Sequence, residues 1–263
     1  MTTIVGELFF RLVAIHPLVE DLLASRRTRL PDGTETAADS FIPRDECELI
    51  YETIAANGAT KAIEVGMAFG VSSLCIADAL HRNGADARLV TIDPHQTAGW
   101  RSAGMHLVAR AAYDSMVTLI EEPSQTVLPQ LARDGRRFDF AFIDGWHTFD
   151  HTLVDFFFID LMLETGGCIV LDDVGYPAVN AVVRFILANR DYELLQALRF
   201  QAPVATSLRL RREIKRRLRP IARTDRDPKP EHDALFRSIE NVHAVALRKR
   251  GEDARRFDHY ERF

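Results

Sequence analysis

From residue 60 onward, short apolar runs alternate with helix-length segments. The runs are 61–65 (KAIEV), 88–92 (RLVTI), 117–120 (VTLI), 139–143 (DFAFI) and 168–171 (CIVL). Segments 71–82, 101–115, 124–133, 149–163 and 178–189 lie between and after them. An apolar run of this length, bounded by turn or polar residues, suits a strand covered on both faces. A helix between successive strands returns the chain for parallel pairing. Residues 191–198 and 241–248 add a sixth and a seventh strand. The expected class is therefore α/β, a seven-stranded, mostly parallel sheet with helices on both faces.

Residues 1–58 read as a helical extension and candidate lid ahead of this unit, which spans 59–263. An apolar helical pattern runs over 4–24 and ends near Arg26-Arg27, and 31–40 (PDGTETAADS) is loop chemistry. A second helix is expected after Pro43, with Leu49, Ile50 and Ile54 on its buried face, stopping at Asn57-Gly58. Residues 200–238 form an insertion before the last strand. Within it Leu210, Ile214, Leu218 and Ile221 make one helical stripe among arginines.

Charge divides along the same boundary. Residues 208–223 hold eight basic side chains and one acid, whereas the whole chain carries −5, so the remainder sums to −12. Such a body is not a general nucleic-acid binder. The basic segment instead suits a contact with the protein's own surface, a second subunit or an anionic group. It and the loop 31–40 are candidate lids over a substrate, and a homodimer is the default assembly.

Three cysteines, Cys47, Cys75 and Cys168, are odd in number and widely spaced. That arithmetic excludes a disulfide framework and a zinc ribbon, and points to reduced, buried thiols in a cytoplasmic protein. No apolar stretch is long enough to span a membrane. Phe156, Phe157 and Phe158, with Leu153, Leu161 and Leu163, are expected to pack into the core rather than against lipid.

In an open parallel sheet, ligands sit beyond the carboxyl ends of the strands. The first run is followed by Glu64-Val-Gly66-Met-Ala-Phe69-Gly70-Val-Ser72. This is either a tight turn or a cradle where glycines let the backbone approach a ligand at a helix N-terminus. It is not the G-x-G-x-x-G of nicotinamide-binding proteins, and the acid within it favours a ligand carrying positive charge. Asp93 follows the second run, as a turn residue or as an acceptor for ribose hydroxyls. Ser124 and Gln125 follow the third, where Ser124 either caps a helix or meets an adenine edge. Asp144, Trp146 and His147 follow the fourth, and Asp172 and Asp173 the fifth. Three carboxylates on one edge repel one another unless a cation joins them, and all-oxygen ligation suits magnesium. His147 beside such a site is a candidate general base.

The segments IEVGMAFGVSSL, TIDPH, SQTVLPQL, FDFAFIDGWH and GGCIVLDDV, in this order, resemble class I S-adenosylmethionine-dependent methyltransferases. They are most similar to the catechol, caffeoyl-CoA and macrocin-type O-methyltransferases. The resemblance covers about residues 41–198 and 241–248, and it implies a Rossmann-like fold. It also implies S-adenosylmethionine held by Glu64, Gly66, Phe69, Gly70, Ser72, Asp93, Ser124, Gln125, Asp144 and Trp146. Mg2+ or another divalent cation is implied at Asp144, Asp172 and Asp173, with Asp144 and His147 catalytic. Two residues depart from the catechol pattern: Asp173 stands where that group usually has Asn, and His147 where it has lysine.

The expected activity is O-methylation of a small-molecule hydroxyl, a phenol, a sugar or a natural-product intermediate. The alternative is a methyltransferase-like binding or scaffold protein without turnover. A nicotinamide-dependent dehydrogenase ranks last, because its glycine pattern is absent.

Overall fold

A computed structural model describes residues 13–200 and 230–263. The start of the first expected helix and the basic stripe at 208–223 lie outside the described residues. Helices α1 (Pro17–Ser25) and α2 (Arg44–Asn57) flank a hairpin of β1 (Arg27–Arg29) and β2 (Glu35–Ala37). The main unit then runs β3 (Lys61–Val65), α3 (Val71–Asn83), β4 (Arg88–Ile92), α4 (Ala103–Arg110), β5 (Val117–Ile120), α5 (Ser124–Arg133) and β6 (Phe138–Ile143). It continues with α6 (Phe149–Met162), β7 (Leu163–Leu171), α7 (Pro177–Asn189), β8 (Tyr192–Arg199), α8 (Pro230–Ser238) and β9 (Val242–Lys249).

The seven strands order as β5-β4-β3-β6-β7-β9-β8. The first five are mutually parallel, and β9 runs antiparallel to both β7 and β8. Strand order reverses between β3 and β6, so the crevice outside their carboxyl ends is the natural ligand position.

Alternation along each strand feeds two cores, one per face. Ala62, Leu89, Phe140, Phe142, Cys168 and Val170 pack with α2, α3 and α4. Ile63, Val65, Val90, Ile92, Ala141, Ile143, Ile169 and Leu171 pack with α5, α6 and α7. Strand side chains project to opposite faces in turn, so strands buried on both sides are apolar throughout. Glu64 and Thr91 are polar exceptions, both fully buried.

Several elements differ from the sequence reading. The expected loop 31–40 begins with a turn and contains β2, because Asp32 Oδ1 accepts from Thr34 N at 2.9 Å and Gly33 takes φ +83°. Helix α4 is shorter than expected, bounded by left-handed Ser102 and Ala112. Strand β7 begins five residues early, with a register shift against β6 around Gly166 and Gly167. Phe156 and Leu163 are buried as expected, but Phe157 and Leu161 face outward at 44% and 49% exposure. No helix among the described residues is long and apolar enough to cross a membrane. All three cysteines are free and buried.

Candidate active site

The chain leaves β3 through Gly66, whose φ is +93°. A Cβ placed there would lie 1.9 Å from the Asp144 carbonyl oxygen. Only glycine lets the turn cross the end of β6 this closely. Gly70, at φ +83°, opens α3 without a side-chain cap, and a Cβ on it would meet Gly104 Cα at 2.7 Å. The loop 66–70 is thus wedged between the end of β6 and α4.

Asp93 ties that loop down. Its Oδ2 accepts from Met67 N at 3.2 Å, Ala68 N at 2.9 Å and Gln96 Nε2 at 3.1 Å, and its Oδ1 accepts from His95 N at 2.8 Å. Gln96 Nε2 also donates to the Ala68 carbonyl at 2.7 Å. Phe69 packs edge-on against Trp100, with ring centroids 5.1 Å apart. Glu64 points toward α3, where the Ser73 hydroxyl donates to Oε2, while Oε1 has no hydrogen bond. Burial pushes the Glu64 carboxyl up to about 7, against the pull of the Ser72, Ser73 and Thr91 hydroxyls.

Ser124 and Gln125 open α5 just beyond β5, Ser124 half-buried and Gln125 exposed. Ser124 neighbours Asp155 of α6, whose carboxyl burial pushes up to about 6 while the Ser124 hydroxyl pulls it back. A Cβ on Gly145 would lie 3.4 Å from Asp155 Oδ2. Ser124, Gly145 and Asp155 therefore share one corner of the crevice.

At the ends of β6 and β7, His147 Nε2 lies 3.1 Å from Asp144 Oδ1 and 3.2 Å from Asp173 Oδ2. Its ring stacks on Tyr176, 5.5 Å between centroids and 13° from parallel. The Asp144 hydrogen bond raises the His147 pKa, with burial opposing. Desolvation raises Asp144, which His147 partly offsets, and raises Asp172, to which the charges of Asp144 and Asp173 add. Trp146 stands at the lip, 63% exposed.

The three carboxylates expected at a metal divide into two neighbouring groups. Asp173 takes φ +55°, a conformation that aspartate tolerates better than most residues. Asp144, His147 and Asp173 bring ligand atoms within 4.8 Å of one another, and so do Glu46, Asp172 and His243. Sequence reasoning missed Glu46, His243, Tyr176, Gln96 and Asp155. Glu46 carried a usable signal: it precedes Ile50 and Ile54 at helical spacing, an acid inside the buried stripe of α2. His243 carried none, because only the pairing of β9 with β7 brings it to this edge.

The sheet is doubly wound, with a glycine-cradled crevice and a carboxylate–histidine cluster at its switch point. Residues 63–174 match the model of a methyltransferase domain family. An Arabidopsis thaliana protein named as a caffeoyl-CoA O-methyltransferase is 26% identical over 162 residues, 60% of this chain and 65% of its own length. A flavonoid 3',5'-methyltransferase of Vitis vinifera is 29% identical over 107 residues, 40% of this chain and 43% of its own. The chain thus spans less than two thirds of these curated relatives. Among solved structures, the O-methyltransferase TomG of Streptomyces achromogenes, in complex with SAM, is 17% identical over 90% of both chains with a TM-score of 0.52. An O-methyltransferase of Bacillus cereus in complex with SAH is 16% identical over 90% of this chain and 93% of its own, with a TM-score of 0.53. At these identities the structural likeness is one of fold. Residues 63–174 thus resemble a methyltransferase domain, and the chain is similar to the caffeoyl-CoA O-methyltransferase group.

Proposed function

We propose that this protein transfers a methyl group from S-adenosylmethionine to a hydroxyl of a small molecule, with a divalent cation at the ends of β6 and β7. The observation that carries this reading is the convergence on one crevice of the loop 66–70 and of His147 bracketed by two carboxylates. When bound, S-adenosylmethionine supplies an electrophilic methyl on a positively charged sulfur. A divalent cation supplies a charge that lowers the pKa of a bound hydroxyl. Asp144, Asp172 and Asp173 would hold it; their oxygens are hard donors, and their mutual repulsion is what a cation relieves.

The chain's own residues divide the remaining work. Gly66 and Gly70 bring backbone within reach of the nucleoside, and Asp93 fixes that backbone through Met67 and Ala68. Asp144 and Asp173 make this end of the crevice acidic, which suits a cationic cofactor. Ser124 and Gln125 lie where an adenine edge would rest. His147 takes the hydroxyl proton at Nδ1, the nitrogen left free while Nε2–H donates to Asp144 and Asp173, and those carboxylates stabilise the imidazolium that results. Tyr176 holds the ring plane by stacking. Holding two reactants in attack geometry can lower the barrier by roughly 7–11 kcal/mol.

Calorimetric titration with S-adenosylhomocysteine, in magnesium and again in EDTA, tests the nucleoside pocket. Micromolar binding in both is expected. Absence of binding in both would remove the methyltransferase reading. Methyl transfer to a panel of phenols and sugars then tests the acceptor class, and activity unchanged by EDTA would remove the metal.

A further inference from the structure

We propose that Glu46 is a positioning residue for the cation site, holding the Asp172 carboxylate in place by a hydrogen bond reached across from α2. This role rests on the reading of Asp144, Asp172 and Asp173 as cation ligands. Glu46 lies on the buried stripe of α2 and is itself fully buried. Helix α2 packs against β7 and β9, which brings the Glu46 carboxyl to the end of β7. There the Glu46 and Asp172 side chains share a hydrogen bond. One ligand atom of each lies within 4.8 Å of the other and of His243.

His243 does not compete for Glu46. Its Nδ1 stands 3.6 Å from Glu46 Oε2, beyond hydrogen-bond length. Its Nε2 lies 3.1 Å from Asp45 Oδ2, and its ring packs 5.5 Å from that of Phe200. Asp172 is therefore the partner that Glu46 holds.

Asp172 needs such a hold. The charges of Asp144 and Asp173 both act on it, and like charges drive a free carboxylate out of the cluster. The backbone supplies one restraint, because Asp172 Oδ1 accepts from Asp173 N at 2.5 Å. Glu46 supplies a second, from a different element. A carboxylate has about four lone-pair sites, so two such bonds leave room for a cation. Outer partners of this kind orient metal-binding groups, and losing one costs roughly 10–100-fold in metal affinity. Helix α2 precedes the sheet unit in the chain, so the N-terminal extension contributes to the frame of the site.

The test is Mn2+ titration of the full chain, stripped with chelator, with free Mn2+ read by electron paramagnetic resonance and the fold checked by melting. The equivalent that matters is the one that Asp144→Asn weakens. Glu46→Gln keeps the length of the side chain and a group that hydrogen-bonds Asp172, and should bind Mn2+ nearly as wild type does. Glu46→Met keeps the length without the hydrogen bond, and should bind roughly 10–100-fold more weakly. Glu46→Ala, which adds no bulk, takes its place if the methionine variant does not fold. Wild-type affinity in Glu46→Met or Glu46→Ala overturns the role. So does an equal loss in Glu46→Gln and Glu46→Met, which would assign the effect to the lost carboxyl and not to the hydrogen bond. A wild-type chain that binds no Mn2+ removes the cation reading itself, and the role of Glu46 with it.

Discussion

Gly66→Ala isolates the tightest crossing in the molecule. A Cβ at this position would sit 1.9 Å from the Asp144 carbonyl oxygen, 2.7 Å from its carbonyl carbon and 3.3 Å from Gly145 N. Carbon and oxygen approach in proteins to about 3.3 Å, so the two backbones must part by about 1.4 Å. Neither contact is a flexible side-chain end. An L residue in left-handed backbone costs about 1–2 kcal/mol, and overpacking adds about 1–3 kcal/mol. The expected destabilisation is then about 2–5 kcal/mol, and a chain of this size loses about 2–4 °C per kcal/mol, so a fall of roughly 5–15 °C is expected. Because the displaced atoms belong to the turn and to Asp144, S-adenosylhomocysteine affinity should fall at least about 10-fold, since misplacements near 1 Å at reacting centres cost about 100-fold in rate. Differential scanning fluorimetry and calorimetric titration read the two effects. A variant melting within 2 °C of wild type with unchanged affinity would falsify the claim that this crossing requires glycine.

Three further outcomes are expected. The Glu64 carboxyl titrates near 7 in the fold against 4.5 outside it, so the native state holds the extra proton and stability falls as pH rises through that window, by about 3 kcal/mol in all. Glu64→Gln should therefore gain on wild type between pH 4.5 and 7, and melting curves showing a constant difference would refute the assignment. Lys249, buried at 1% exposure, donates through Nζ to the Asp160 and Leu163 carbonyls at 2.7 and 3.0 Å and to Glu252 Oε2 at 2.9 Å. Lys249→Ala should cost about 3–5 kcal/mol in urea unfolding, and a cost under 1 kcal/mol would show the network to be dispensable. As a base His147 works only when neutral, and its pKa is raised, so wild-type activity should climb with pH through that pKa. His147→Ala should lose this limb and about 100-fold or more in rate; a pH–rate profile of unchanged shape removes it from the base role.

The sheet was legible because its strands are apolar on both faces. Strands β3, β4 and β5 fall where the runs KAIEV, RLVTI and VTLI place them. The start of β7 was hidden by Glu164, Thr165, Gly166 and Gly167, which read as loop but are carried into the ladder by a register shift. The β1–β2 hairpin was hidden because its strands are three residues long and mostly exposed, too short for a periodic pattern. At the site, each strand-end position was readable from its own run, since a parallel sheet gathers those ends whatever joins them. The partition of neighbours was not. Asp172 and Asp173 look equivalent in sequence, and only the left-handed turn at Asp173 and the nearness of α2 and β9 send them to different partners.

The late arrival of β9 has a consequence for the chain as it is being made. Strand β8 joins the sheet only through β9, and β9 covers the outer edge of β7. About 40 residues separate the end of β8 from the start of β9, some 2–8 s of synthesis at about 5–20 residues/s. During that interval the nascent chain presents the backbone of Cys168–Leu171, all of them later buried, as an unpaired edge beside a strand that has nowhere to dock. Open apolar edges of this kind are what chaperones bind and what seeds aggregation. The same event that closes the edge brings His243 against Asp45 and Glu46 of α2.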